Sequence, residues 1–526
     1  MEIIYVQAGS FANFVGTHFW NTQQGYFTYE DGDDPLVQHD RSFREGLNNK
    51  GEATYCPRLL LFDRSSNFGA LSNDLYPDNL NGAPAADWDG EVVEYRQDPI
   101  PESEYHARLE TGELDDDAAG EEPSPSTTGL TRVRFWSDYS RAFLHPRTPQ
   151  RLPDLADWDG VDGDWNKSKE YFQKYDSDHD LMENELRAFV EECDGLQGLQ
   201  LMSDCVTFGG FTDAFLTAFR DEFPKLPSLA FSFLSDASNA LVTTEEPRAA
   251  NALNDALCIR SFENLSTLNV PIQDPSTWKR SGWLQDLSLD LRSPYQTSAL
   301  VSTYIESATL PLRLKASDHD LASMGTLLNM SGTTRTAHLA GIYPLHASIS
   351  ASNVPVKLYD LSAVTESRGQ PVAASASEYG RLQVLRGNFS ASQWTKLDGI
   401  FSPRIPTSVS IHAPAYPTPT SFPRIVSPAS PLPLGSRSDA AAALRQNVYS
   451  ALTTSSAPAK LFAGYARLAQ ECVDRRAEVV TKMGLEFDEV RELKDEMWAL
   501  CDRYAAADEE GGGMEDEEVE MGEDEE

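Results

Sequence analysis

The sequence predicts an α/β protein that passes into an α+β region and ends in helices and a disordered acidic tail. Three observations predict it. Short apolar strands such as Ile3–Val6 and Leu59–Phe62 alternate with helical stretches, and glycine-containing turns join strand to helix. Near the end, Phe487, Val490, Leu493, Met497, Leu500 and Tyr504 recur every three or four residues, one apolar helical stripe. Beyond them the chain is almost entirely acids and glycine, too charged to fold alone.

Taken in order, residues 1–78 open the α/β domain, led by the strand Met1-Glu2-Ile3-Ile4-Tyr5-Val6. Residues 79–130 turn acidic and rich in Gly, Pro and Ser, with Asp115-Asp116-Asp117 and Glu121-Glu122-Pro123, and read as a flexible surface insertion. Residues 131–270 continue the domain: a helical stretch, a short strand at Leu199–Met202, a glycine turn, a second helix, then strand signals at Leu229–Leu234. An α+β middle domain is expected over 271–401, with strand-bearing regions at Tyr304–Leu314 and Leu339–Tyr343. Residues 402–436 read as a Pro/Ser-rich loop, 437–507 as helical, and 508–526 as the tail. The run Ala86-Asp87-Trp88-Asp89-Gly90 recurs as Ala156-Asp157-Trp158-Asp159-Gly160, and two copies flanking a linker make no repeat architecture.

Composition narrows the function. Over 526 residues, 82 acids oppose 43 Lys and Arg, a net charge of −39. Such a surface repels phosphate backbones and anionic lipid heads, so direct nucleic-acid binding is not expected. The six cysteines are far apart with no CxxC pair, which argues for reduced, buried thiols rather than zinc or disulfides. No apolar run approaches the ~18 residues that span a bilayer, and the first residues resemble neither a signal nor a transit peptide. Any tie to an organelle is therefore expected to be peripheral, from the cytosolic side.

Several sites can be weighed from spacing alone. Asp176-Ser177-Asp178-His179-Asp180 imitates the start of an EF-hand, but Leu181 and Arg187 stand where the turn glycine and bidentate glutamate are needed. No HExxH or GxSxG occurs, and His145 beside Pro146 reads as a structural loop histidine. The informative pieces are two glycine turns. Gln7-Ala8-Gly9-Ser10-Phe11-Ala12-Asn13 follows the first strand, and Phe208-Gly209-Gly210-Phe211-Thr212-Asp213 follows a later one; each opens a helix, where backbone amides can meet phosphate.

These pieces carry a resemblance. Met1 to Gly9 with Asn13, Gly16 and Phe19-Trp20 resembles the N-terminus of tubulin, and Pro57-Arg58-Leu59-Leu60-Leu61-Phe62-Asp63 is similar to its PRAVLVDLEPG strand. Cys193-Asp194-Gly195-Leu196-Gln197-Gly198 and Asn251-Ala252-Leu253-Asn254-Asp255-Ala256-Leu257-Cys258 resemble CDxLQG and NEALYDIC. The acidic insertion, and Val133 to Tyr139 leading to His145-Pro146-Arg147, resemble the Misato family, whose fungal members also carry the Pro/Ser-rich loop and acidic end. The resemblance implies a tubulin-like, Rossmann-type nucleotide-binding-like domain. It also implies a role in distributing mitochondria and partitioning their DNA.

Carried over residue by residue, the resemblance implies a degenerate GTP site at Gly9, Ser10, Asn13, Asp63, Gly209, Gly210, Thr212 and Asn251. Phe211 and Asp213 intrude where tubulin has GGGTGSG, and Ser65 replaces a glutamate on the magnesium side. Within Asp318-His319-Asp320-Leu321-Ala322-Ser323-Met324, Ser323 takes the place of the acid that a tubulin neighbour contributes, with Asp318 and Asp320 as shifted alternatives. Serine is a poor general base at neutral pH. The expectation is a non-enzymatic protein that requires no cofactor or metal and holds GTP at most weakly. Its partners are expected among proteins of the mitochondrial surface or cytoskeleton. A GTP-binding filament-forming GTPase and a chaperonin-linked cofactor of tubulin assembly are the alternatives.

Overall fold

The computed structural model describes residues 1–27, 35–47, 53–71, 103–111, 133–153, 164–239, 246–330, 332–362, 377–402, 405, 407–427 and 445–511. Both Asp-Trp-Asp-Gly copies, most of the acidic insertion, part of the Pro/Ser-rich loop and the tail after Gly511 lie outside the described residues.

The first half contributes β1 (Glu2–Ala8), the hairpin β2 (Phe43–Leu47) and β3 (Ala53–Pro57), β4 (Leu59–Arg64), β5 (Pro149–Leu152), β6 (Leu196–Asp204), β7 (Ser228–Phe233) and β8 (Leu268–Ile272). Six of these form one parallel sheet in the order β5–β4–β1–β6–β7–β8. A parallel sheet is covered on both faces and needs apolar strands throughout. Every residue of β1 and β7 is accordingly buried.

Helices pack on that sheet, on a second one and on one another. They are α1 (Ser10–Gln24), α2 (Glu104–Thr111), α3 (Trp165–His179), α4 (Cys205–Glu222), α5 (Glu246–Leu265), α6 (Pro294–Thr309), α7 (Leu321–Leu328), α8 (Pro458–Asp474) and α9 (Phe487–Gly511). Strand alternation divides the core. Ile4, Val6 and Ala8 of β1 face a cluster with α3, α4, α5, α8 and α9, whereas Ile3 and Tyr5 face one with α1, α6 and a second sheet. The stripe Val490, Leu493, Met497, Leu500 and Tyr504 is the buried face of α9.

The second sheet is mixed and has the order β10–β9–β15–β11–β12. It comprises β9 (His338–Ile342), β10 (Tyr359–Asp360), β11 (Glu378–Arg386), β12 (Ser408–Ala413) and β15 (Val448–Ser455); β13 (Tyr416–Pro417) and β14 (Arg445–Gln446) pair separately. Four sequence expectations change here. Tyr304–Leu314 is not a strand: it completes α6 and a following 3-10 turn, and every residue from Thr297 to Thr309 is buried. A helix buried all round has no polar face to reveal its period. Ser408–Ala413, expected as loop, pairs in parallel with β11. Val448–Ser455, expected as helix, is the central strand between β9 and β11. Within the expected flexible insertion, α2 is anchored by buried Leu109 and by Tyr105, whose hydroxyl lies 3.0 Å from that of Tyr295.

One ion network joins the layers. Glu306 of α6, fully buried, pairs with Arg313 at 3.3 Å and with Arg386 of β11. It also accepts bonds from Gln23 of α1 at 3.0 Å and from the Tyr26 hydroxyl at 2.8 Å. Both arginines are themselves buried.

Candidate functional site

In an open α/β sheet, ligands bind outside the carboxyl ends of the strands where the strand order reverses. Here the reversal falls between β1 and β6, since the chain runs outward through β4 and β5 on one side and through β7 and β8 on the other. The strand-to-helix junctions at that point are Gly9-Ser10 and Asp204-Cys205.

Gly9 takes φ +109°, which L side chains rarely adopt, and starts α1 directly after β1. The first turn of α1 has no acid of its own. Its exposed amides are met from across the cleft: Phe11 N–H and Ala12 N–H each donate to the Asp204 carboxylate at 2.9 Å. Asp204 immediately precedes α4, where an acid would ordinarily cap its own helix. It makes no such bond and crosses to α1 instead. A Cβ on Gly9 would stand 2.4 Å from Asp204 Oδ2, so the glycine lets the backbone approach this internal carboxylate. Burial pushes the Asp204 carboxyl up to about 7; the two amide bonds oppose the rise, and the charges of Asp63 and Asp274 add to it.

Asp63, at the end of β4, is fully buried. Its Oδ2 accepts from Asn13 Nδ2 and Trp136 Nε1, both at 3.0 Å, and its Oδ1 accepts from Asn67 Nδ2 at 2.7 Å and Arg64 N–H at 2.8 Å. Burial raises its pKa against these bonds. With each oxygen already accepting two bonds, the carboxylate is committed to holding β4, α1 and the Trp136 segment together. Ser65 turns away to donate to Leu152 O at 3.0 Å. Asn13 thus joins Asp63, while Ser10 stands partly exposed at the start of α1.

The second glycine turn is not a turn. Gly209, Gly210, Phe211, Thr212 and Asp213 all lie inside α4, which begins at Cys205 without a loop. No glycine occurs among Cys205, Val206 and Thr207, so strand passes straight into helix and the glycines arrive more than a turn later. There they serve packing: a Cβ on Gly210 would meet Trp165 O at 2.2 Å, and one on Gly209 the Trp165 ring at 2.9 Å. Ser168 Oγ accepts from Phe211 N–H at 3.0 Å, and the Phe211 ring sits 5.1 Å from both Phe62 and Phe172 in the core. Thr212 Oγ1 donates to Phe208 O at 2.8 Å, and Asp213 pairs with Lys169 at 2.7 Å. None of these side chains lines the cleft.

Beside Asp204 lies a cavity of about 170 Å³ at the ends of β6, β7 and β8. Phe11, Val206, Thr207, Phe233, Leu234 and Ser235 line it with Asp204, Ile272, Gln273, Asp274 and Pro275. Small-molecule sites commonly need roughly 300–1,000 Å³. Asp255 of α5 fixes the rim by accepting the Ser235 hydroxyl at 2.6 Å, and burial raises its carboxyl to about 7. Asn251 is partly exposed on α5 and does not line the cavity. Asp320 and Ser323 form a capping box on α7: Ser323 N–H donates to the Asp320 carboxylate at 2.7 Å. Asp318 is exposed. His145 is part of its loop, its Nδ1 accepting from Arg147 N–H at 3.2 Å, and burial lowers its pKa to about 4.

Two residues that shape the cleft, Asp204 and Trp136, escape the sequence reading. The available signal for Asp204 was an acid at the last position of a strand, directly before a helix. For Trp136 no local pattern shows that its indole meets Asp63.

Comparison with known proteins gives two family models in sequence: the Misato Segment II tubulin-like domain over residues 1–111 and the tubulin domain over 124–314. The chain is 34% identical over 373 residues to Protein DML1 of Gibberella zeae, covering 69% of this chain and 72% of that one. It is 34% identical over 393 residues to Protein dml1 of Aspergillus niger, covering 73% and 76%. Protein misato of Drosophila melanogaster is 28% identical over 368 residues, covering 64% of each.

Proposed function

Because the chain belongs to the Misato family of tubulin-like proteins, we propose that it is a non-enzymatic interaction protein acting in mitochondrial distribution and mitochondrial DNA inheritance. The organelle role follows the family resemblance. The absence of enzymatic turnover rests on one contact: the Asp204 carboxyl occupies the Phe11 and Ala12 amides at the switch point. A phosphate brought there would have to displace the carboxyl from these amides or, where the carboxyl is ionised, sit against its charge. Like unit charges at ~4 Å repel by about 1–4 kcal/mol between water and a protein surface. The glycines that would open a phosphate loop are instead committed to the α3–α4 contact.

On this reading the tubulin-like body is kept for its surface, with the degenerate cleft as a structural element. It works at the cytosolic side of mitochondria and in the cytoplasm, through proteins of the mitochondrial surface or cytoskeleton. No helix among the described residues is long and apolar enough to cross a membrane. Depletion from its host cell is expected to fragment or misplace mitochondria and to raise the frequency of cells lacking mitochondrial DNA. Normal mitochondrial morphology and DNA retention after depletion would contradict the proposal.

A further inference from the structure

The cavity beside Asp204 has a composition suited to one kind of occupant. Phe11 and Phe233, with ring centroids 5.2 Å apart and edge to face, wall it with Leu234 and Ile272. Two carboxyl groups, Asp204 and Asp274, also line it, beside the neutral polar Thr207, Ser235 and Gln273. Among the described residues no Lys, Arg or His pairs with Asp204, whose partners are the two α1 amides. The Asp274 carboxylate accepts from Ser276 N–H at 2.8 Å through one oxygen. Apolar walls around partly buried carboxyl groups match a long side chain with an alkyl stem and a cationic tip. At about 170 Å³ the space is smaller than an ordinary small-molecule site.

We propose that this cavity is a docking socket for a single arginine or lysine side chain presented by a basic partner protein. The inference rests on the reading of the cleft as closed to nucleotide. Charge selects the partner class. A chain of net charge −39 steers basic proteins toward itself and repels a second copy of itself. A metal ion is a poorer match, because no cluster of metal-binding side chains occurs among the described residues. The raised pKa of Asp204 agrees with a partly buried carboxyl that lacks a cation. An arriving guanidinium or ammonium would stabilise its charged form.

The test is a methyl NMR titration of the whole chain, reading Val206, Leu234 and Ile272. The probe is N-acetyl-arginine methylamide, with N-acetyl-norleucine methylamide as the uncharged control. The arginine probe is expected to shift these methyls saturably, and the norleucine probe to bind at least about fivefold more weakly. Asp274→Asn, a partly exposed position, is expected to weaken the arginine probe by about the same factor. No shift at about 20 mM arginine probe, or equal binding of both probes, would overturn the proposal. A separate arm with magnesium-GTP tests the underlying reading: saturable shifts of the same methyls by GTP would overturn that reading whichever way the arginine arm falls.

Discussion

Replacing Gly210 with alanine is expected to destabilise the protein by about 2 kcal/mol and to leave its response to GTP unchanged. The new Cβ would lie 2.2 Å from the carbonyl oxygen of Trp165 and 3.1 Å from the Ser168 Cβ. The nearer obstacle is backbone at the start of α3, which cannot swing aside as a flexible side chain can. Relief requires α3 and α4 to separate, loosening the cluster that contains Phe172, Phe208 and Phe211. Overpacking of this kind costs about 1–3 kcal/mol, and a 2.2 Å contact with backbone belongs at the upper end. Alanine returns about 1 kcal/mol through its better helix propensity, so the clash must exceed that gain. Chemical denaturation measures the difference. A glycine in an open phosphate loop would behave otherwise: alanine there would alter nucleotide affinity and leave stability nearly untouched.

A larger loss is expected from Glu306→Leu. The glutamate is the only acid paired with Arg313 and Arg386 among the described residues, and all three are buried. Removing it leaves two buried guanidinium groups without a counter-charge, and breaking a buried pair costs about 3–5 kcal/mol. The bonds from Gln23 and Tyr26 are lost as well, so α1, α6 and β11 lose their shared anchor. Adding Arg386→Met to the Glu306→Leu chain is expected to restore part of the stability, because one uncompensated charge disappears with its partner. The effect should depend little on salt, since screening acts weakly on buried charges. A thermal midpoint unchanged by Glu306→Leu would show that the network does not hold the two sheets together.

The sequence announced those elements whose pattern has a polar side or a clean boundary. β1 and β4 are short apolar runs ending in turn or polar residues, and α9 carries its stripe on one face. Elements buried on every side gave no such contrast. α6 contains Thr303, Tyr304, Ile305 and Thr309, residue types that favour strands, and only packing between α1 and β15 makes it helical. β12 lies at a sheet edge in a segment rich in Ser and Pro, where local composition speaks for loop.

The cleft divides the same way. Gly9, Asn13 and Asp63 fall at strand ends or in the first helical turn, where local order places them near the switch point. Gly209 and Gly210 misled because glycine marks close approach as well as turning, and nothing local says which neighbour approaches. Asp204 reaches amides 193 and 192 residues away in sequence, a contact created only by the parallel pairing of β1 with β6.

The most direct test is equilibrium binding and turnover of magnesium-GTP on the purified 526-residue chain. With Asp204 holding the α1 amides, binding weaker than about 1 mM and no turnover above the buffer rate are expected. Micromolar binding with turnover would contradict the account, for it would mean that Asp204 yields its place to phosphate and that the cleft works as a GTPase.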